Sequence, residues 1–158
     1  MTRAVAPAAP NAASSDRSRR PAKVGSRLPI VLDSSCWMEY FADSPRADLF
    51  APAVEAVDLL LVPVLTVYEV VKKLAREAGE EAATAALSLM QRGHVVVIDL
   101  SLALDAAVNG LPMADSLIYA TAQRHGAVLW TQDAQFEGLP GVKYFAKAEG
   151  RLGVRGGK

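Results

Sequence analysis

The chain has little of what most metal and disulfide scaffolds require. Its 158 residues hold one cysteine, Cys36, and two histidines, His94 and His125. A lone thiol excludes a disulfide framework and a cysteine-based zinc site, and two histidines exclude a histidine-rich one. The longest apolar run, Leu59 to Leu65, contains Pro63 and falls far short of the ~18 residues of a membrane span. Aromatic residues are scarce at 6%, yet 51% of the chain is hydrophobic and 22% charged, enough for a core. These features predict a soluble, cytoplasmic, single-domain protein with no membrane partner.

Net charge is also missing, but only in sum. Arg3, Arg17, Arg19, Arg20, Lys23 and Arg27 face Asp16 alone in the first 27 residues, a net of +5. Lys147, Arg151, Arg155 and Lys158 against Glu149 give +3 in residues 147–158, which leaves −8 in residues 28–146. An acidic body repels nucleic acid unless metal ions intervene. Residues 1–25 are Ala, Pro, Ser and Arg without apolar periodicity or a signal-type hydrophobic stretch, and they read as a disordered basic tail. An over-extended start, with translation beginning near Val24, is the alternative. Residues 147–158 read as a flexible basic tail, and 28–146 as the folded domain.

Within that domain short apolar runs alternate with helical periods. Ile30–Leu32, Leu59–Val62, Val95–Ile98, Val128–Trp130 and Val142–Tyr144 read as strands, the last after Leu139-Pro140-Gly141. Helices are expected over Cys36–Phe41 and over Arg46–Val57, the latter opened by Ser44-Pro45. Val67, Val70, Val71 and Leu74 make an i, i+3, i+4, i+7 stripe, and Ala82, Ala85, Ala86, Leu89 and Met90 repeat it within Glu80–Gln91. Leu102–Val108 and the stripe Ala114, Leu117, Ile118, Thr121 and Ala122 complete the set. Strands too apolar for a one-sided sheet, separated by helices, predict an α/β fold. Its centre is a parallel sheet of four to five strands with helices on both faces.

Four acids fall where such a sheet collects chemistry, at strand ends and the starts of following helices. Asp33 follows the first strand, and Glu69 lies in the first turn of the helix after the second. Asp115 lies in the first turn of the helix leading to the fourth strand, and Asp133 follows that strand. Each also has a purely structural role open to it. Asp33 suits a helix cap, Thr66-Val67-Tyr68-Glu69 a capping box, Asp115 a helix-dipole partner and Asp133 an Asx turn. Together, however, four acids at one edge repel unless something positive sits among them. A divalent cation is the natural occupant, because hard cations take oxygen ligands and no His or Cys set exists.

These residues carry a resemblance. Ile30-Val31-Leu32-Asp33-Ser34-Ser35, Val67-Tyr68-Glu69-Val70, Leu111 to Ala122 and Leu129-Trp130-Thr131-Gln132-Asp133-Ala134-Gln135-Phe136 resemble the successive motifs of PIN-domain ribonucleases. Size and wording are similar to VapC-type toxins of bacterial toxin–antitoxin pairs. Trp130 and Gln132 stand where smaller or basic residues are common. The resemblance implies strand order 3-2-1-4-5 and an acidic pocket holding Mg²⁺ or Mn²⁺ that hydrolyses RNA. It also implies a small antitoxin partner and a homodimer. Asp33, Glu69, Asp115 and Asp133 match the acidic quartet, with Asp33 anchoring or bridging metals, Glu69 and Asp115 completing the shell, and Asp133 holding a second metal or orienting water. Thr131 and Ser34 are expected to orient carboxylates.

Other residues are weighed more simply. His125 before Gly126 reads as a helix C-terminus, His94 as structural, Cys36 as core and Asp99 as a cap. Trp37, Tyr40, Phe41, Leu49 and Phe50 suit either core or a docking face for the antitoxin, and the resemblance favours docking. Lys72, Lys73 and Arg76 follow Glu69 at i+3, i+4 and i+7. That row suits either a solvated face with a Glu69–Lys73 pair or a phosphate track leading from the site, the substrate-binding role taken here. A receiver domain would need an acidic pair after the first strand, and a haloacid-dehalogenase-type phosphatase a second Asp where Ser35 stands. The remaining alternative is a non-catalytic PIN-like module that binds RNA or protein. If residues 1–24 form no part of the fold, deleting them leaves the melting temperature and metal-dependent activity unchanged. A large loss of stability would show that the segment docks.

Overall fold

In the computed structural model, which describes residues 27–147, five strands form one sheet. They are β1 (Ile30–Leu32), β2 (Leu60–Pro63), β3 (His94–Val96), β4 (Val128–Thr131) and β5 (Val142–Tyr144). All neighbours are parallel and the order is β3-β2-β1-β4-β5, as the resemblance implies. β1 is the central strand, with Ile30 opposite Leu60 on one side and Val128 on the other. The expectations for residues 1–25 and for the tail beyond Lys147 lie outside the described residues.

The helices are α1 (Ser34–Phe41), α2 (Ala47–Glu55), α3 (Val64–Ala78), α4 (Glu80–Met90), α5 (Leu100–Ala107) and α6 (Met113–Arg124). Alternation along each strand feeds two cores. Leu32, Leu60 and Val62 pack with Trp37, Phe50, Val70 and Met90 from α1 to α4. Val31 and Leu129 pack on the other face with Ile118 and Ala122 of α6 and with Phe136. α5 rides outside α6 through Leu102, Ala106 and Ala120. Arg124 of α6 ties the pair by ion pairs to Asp105 at 2.6 Å and Asp99 at 3.3 Å. Asp99 also caps α5, accepting from the Leu102 N–H at 2.8 Å, and α6 stops where Gly126 takes φ 59° after the His125 C-cap.

Several boundaries differ from the sequence expectation. α3 begins at Val64, directly after Pro63, because that proline's fixed φ opens the first helical turn. Glu69 therefore sits in the second turn and the capping box does not form. Thr66 is instead buried inside the helix, its hydroxyl without a hydrogen-bond partner among the described residues. β3 stops at Val96, opposite Pro63; the β2 chain turns into α3 there, so Val97 and Ile98 have no strand to pair with and are 69% and 36% exposed. In α4 the buried residues are Ala83, Ala86 and Met90, with Ala85 exposed, because alanine fixes the phase of a stripe weakly. α2 starts at Ala47, one residue after the expected Arg46, and ends at Glu55. The Ser44 hydroxyl still accepts the Arg46 N–H at 3.1 Å.

Trp37 and Phe50 are fully buried, so the proposed aromatic docking face does not hold for them. Trp37 stacks on Phe41 and Phe50 meets Phe145 edge-on, at centroid distances of 5.6 and 5.0 Å. Cys36 is buried beside them with its thiol toward the Trp130 carbonyl at 3.5 Å. Burial, and then the charge of Asp33, pushes that thiol's pKa up to about 12.

The tightest backbone approach is at Gly93, between α4 and β3. A Cβ there would lie 3.0 Å from the Leu60 carbonyl oxygen and 3.0 Å from Val62 Cγ2. The strand carbonyl has little room to retreat, so Gly93→Ala should cost about 1–3 kcal/mol. Urea denaturation measures this as a lower midpoint with an unchanged slope.

Candidate active site

The carboxyl edge of β1 and β4 holds the site. Asp33 follows β1 directly, and its N–H donates to the Trp130 carbonyl at 2.9 Å, which extends the ladder by one residue. Its carboxylate is almost fully occupied by the protein. Oδ1 accepts from the Ser34 N–H at 2.8 Å, capping α1. Oδ2 accepts from the Thr131 hydroxyl at 2.8 Å and, more weakly, from Ser35 Oγ at 3.5 Å. The same Thr131 oxygen accepts the Asp133 N–H at 3.0 Å, so one hydroxyl fixes the spacing between two acids. Asp133 in turn accepts the Gln135 N–H at 2.9 Å and caps the 3-10 turn Ala134–Phe136.

Asp33, Glu69, Asp115 and Asp133 line one cleft of about 410 Å³ together with Ser34, Ser35, Gln132, Ala134 and Lys147. Glu69 reaches it from α3 and Asp115 from the first turn of α6. Glu69 Oε1 is buried and has no hydrogen-bond partner among the described residues.

Burial raises the pKa of Asp33; the Thr131, Ser34 and Ser35 hydrogen bonds oppose it, while the charge of Asp133 adds to it. Burial likewise raises Glu69, and the charges of Asp33 and Asp115 push it further, against an opposing effect of the Ser34 side chain. Asp115 is raised by burial and then by Asp133 and Asp33. Asp33, Glu69 and Asp115 are therefore held above their ordinary range by burial and, in part, by neighbouring acids. Among the described residues no three His, Cys, Asp or Glu side chains converge closely enough to enclose an ion as they stand. The donor set nonetheless fits a hard divalent cation: it is all oxygen, and Glu69 Oε1 is a buried acceptor awaiting a positive partner.

All four expected acids and Ser34 thus line one cleft, with Thr131 bonded behind Asp33. Lys72, Lys73 and Arg76 do not line it. They form a separate groove with Tyr68 and Glu69. The expected Glu69–Lys73 pair is not among the ion pairs of the described residues; Lys72 donates to the Tyr68 hydroxyl at 3.1 Å instead. Three further residues shape the site. Lys147, assigned by composition to the tail, lines the cleft. Gln132 is buried, accepting from Arg46 Nε at 2.6 Å, while Arg46 Nη2 donates to the Phe145 carbonyl at 3.3 Å. The sequence signal for Gln132 was its place beside Asp133; Arg46 had none.

None of the curated proteins matches the chain. Among solved structures, a toxin–antitoxin complex from Klebsiella pneumoniae superposes with a TM-score of 0.62 at 24% identity, covering 72% of this chain and 95% of that one. A sarcin-ricin-loop-cleaving VapC toxin from Mycobacterium tuberculosis gives 0.58 at 20% identity, covering 68% and 92%. A DNA-bound VapBC from Salmonella typhimurium gives 0.57 at 17%, covering 75% and 98%. These likenesses establish a shared fold. The PIN domain model matches residues 30–142, the span that runs from the first residue of β1, through all four acids, into β5. The chain belongs to the PIN domain family.

Proposed function

We propose that the chain is a Mg²⁺- or Mn²⁺-dependent endoribonuclease, the toxin of a toxin–antitoxin pair. The observation that supports it most is that four acids line one cleft, in which a buried Glu69 oxygen has no hydrogen-bond partner among the described residues. The toxin–antitoxin complexes among its structural neighbours support the biological setting. On this reading the protein is cytoplasmic, forms a homodimer and is restrained by a small antitoxin. The folded nuclease is residues 28–146, flanked by basic tails. Among the described residues no helix is long and apolar enough to cross a membrane.

Asp33, Glu69, Asp115 and Asp133 would hold the metal. A divalent cation bound there supplies Lewis acidity, acidifying the attacking water and offsetting charge gathered on the phosphate. The chain's own work is positional. The Ser34 N–H and the Thr131 hydroxyl lock the Asp33 rotamer, so its carboxylate need not reorganise when charge changes nearby. Thr131 also ties Asp133 to Asp33, and Glu69 brings its unpaired oxygen from a helix rather than a loop. Lys147 lies at the cleft wall, where its ammonium can meet a phosphate oxygen.

Asp33→Asn should abolish cleavage of bulk RNA while leaving the metal-free melting temperature unchanged or higher, since one charge is removed from a repelling set. Loss of activity through unfolding would reduce Asp33 to a structural cap. Thr131→Val should lower manganese affinity by about 10–100-fold, measured by calorimetric titration, without removing any ligand.

The raised acids also set a pH dependence. The native state keeps protons that the unfolded chain releases, so metal-free stability should fall as pH rises from about 4 through the raised native pKa values. Mn²⁺ at neutral pH should reverse the loss. Melting curves across pH, in EDTA and in Mn²⁺, measure both, and a metal-independent melting temperature would overturn the assignment.

A further inference from the structure

Glu69 belongs to two depressions at once. On one side it lines the acidic cleft. On the other it borders a groove of about 280 Å³ along α3, lined otherwise by Tyr68, Lys72, Lys73 and Arg76. The chemistry of that groove is the reverse of the cleft's, with three cations and an aromatic ring. Residues 28–146 contain only seven basic side chains, and three of them are here. The cations lie within a turn or two of the acid, since Glu69 to Arg76 covers about 10 Å of helix.

The ring is the informative part. Tyr68 is 57% exposed, on a helix whose buried face is made by Val70 and Leu74, so it contributes little to the core. Its neighbour on the same face is a cation. Lys72 Nζ donates to its hydroxyl at 3.1 Å and lies 5.3 Å from the ring centroid. Arg76 makes an exposed pair with Glu77 at 3.6 Å, too weak to commit either partner. An exposed aromatic face flanked by cations matches what unpaired bases and their phosphates require. A duplex cannot use such a face, because its bases are already stacked on one another.

We propose that this groove is a nucleotide subsite for single-stranded RNA. Tyr68 stacks an unpaired base, and Lys72, Lys73 and Arg76 hold the adjoining phosphates. The strand then passes Glu69 into the acidic cleft. What happens to the phosphodiester there rests on the ribonuclease reading; the binding does not. The subsite also gives an acidic body a way to hold a polyanion, with attraction in the groove set against repulsion at the cleft.

Binding of fluorescein-labelled oligouridylate by the full chain in EDTA, followed by anisotropy, tests this without cleavage. Tyr68→Ala should weaken binding about tenfold, whereas Tyr68→Phe, which keeps the ring, should hold it near wild type. The double variant Lys72→Gln, Arg76→Gln should flatten the dependence of log K on log salt by about 0.7 per lost contact. Exposed side chains predict unchanged melting temperatures for all three. Affinity of Tyr68→Ala within twofold of wild type, an unchanged salt slope, or no measurable wild-type binding would each overturn the subsite. Tyr68-dependent binding with no cleavage in Mg²⁺ or Mn²⁺ would instead uphold the subsite and remove the nuclease reading. Cleavage with Tyr68-independent binding would do the opposite.

Discussion

Electrostatic repulsion among carboxylates gathered at one edge of a parallel sheet is the constraint that the site is built around. Asp33, Glu69, Asp115 and Asp133 reach that edge from β1, α3, α6 and the end of β4, so no local rearrangement of one element can disperse them. A hydroxyl and a backbone N–H hold Asp33 in place, and two sequestered cores hold the elements. Folding on both faces of the sheet supplies the force that opposes the repulsion. Burial first, and the neighbouring charges after it, raise the pKa values of Asp33, Glu69 and Asp115.

The strands were legible because a sheet covered on both faces needs uninterrupted apolar runs, and Ile30–Leu32 and Val142–Tyr144 appear with the bounds their patterns gave. Strand order was not legible from periodicity; it came from the resemblance. The start of α3 was missed because Val64 and Leu65 continue the apolar run of β2, and only Pro63 marks the change. The cleft was legible through its acids, which sequence position alone puts at strand ends. Its wall was less so: Lys147 looks like tail composition, and the partnership of Arg46 with Gln132 spans 86 residues.

For two of the four acids, a capping role and a place on the cleft wall do not compete. Asp33 is a helix cap and a wall of the cleft; Asp133 closes a turn and lines the same cleft. The two carboxylate oxygens allow this, since one can serve the backbone while the other faces a neighbouring side chain. Glu69 is different. Its capping box does not form, and its Oε1 has no hydrogen-bond partner among the described residues.

The sequestered thiol of Cys36 has a practical corollary. A thiolate is the reactive form, and a group pushed to about 12 inside the larger core supplies almost none at neutral pH. As the chain has no other cysteine, covalent labelling becomes a clock for core opening. A thiol reagent reaches Cys36 only when the packing between α1 and the sheet comes apart, and where reclosing outpaces modification the observed rate reads the population of opened molecules. The molecule carries its own unfolding reporter, placed one helical turn from the acid that anchors its cleft.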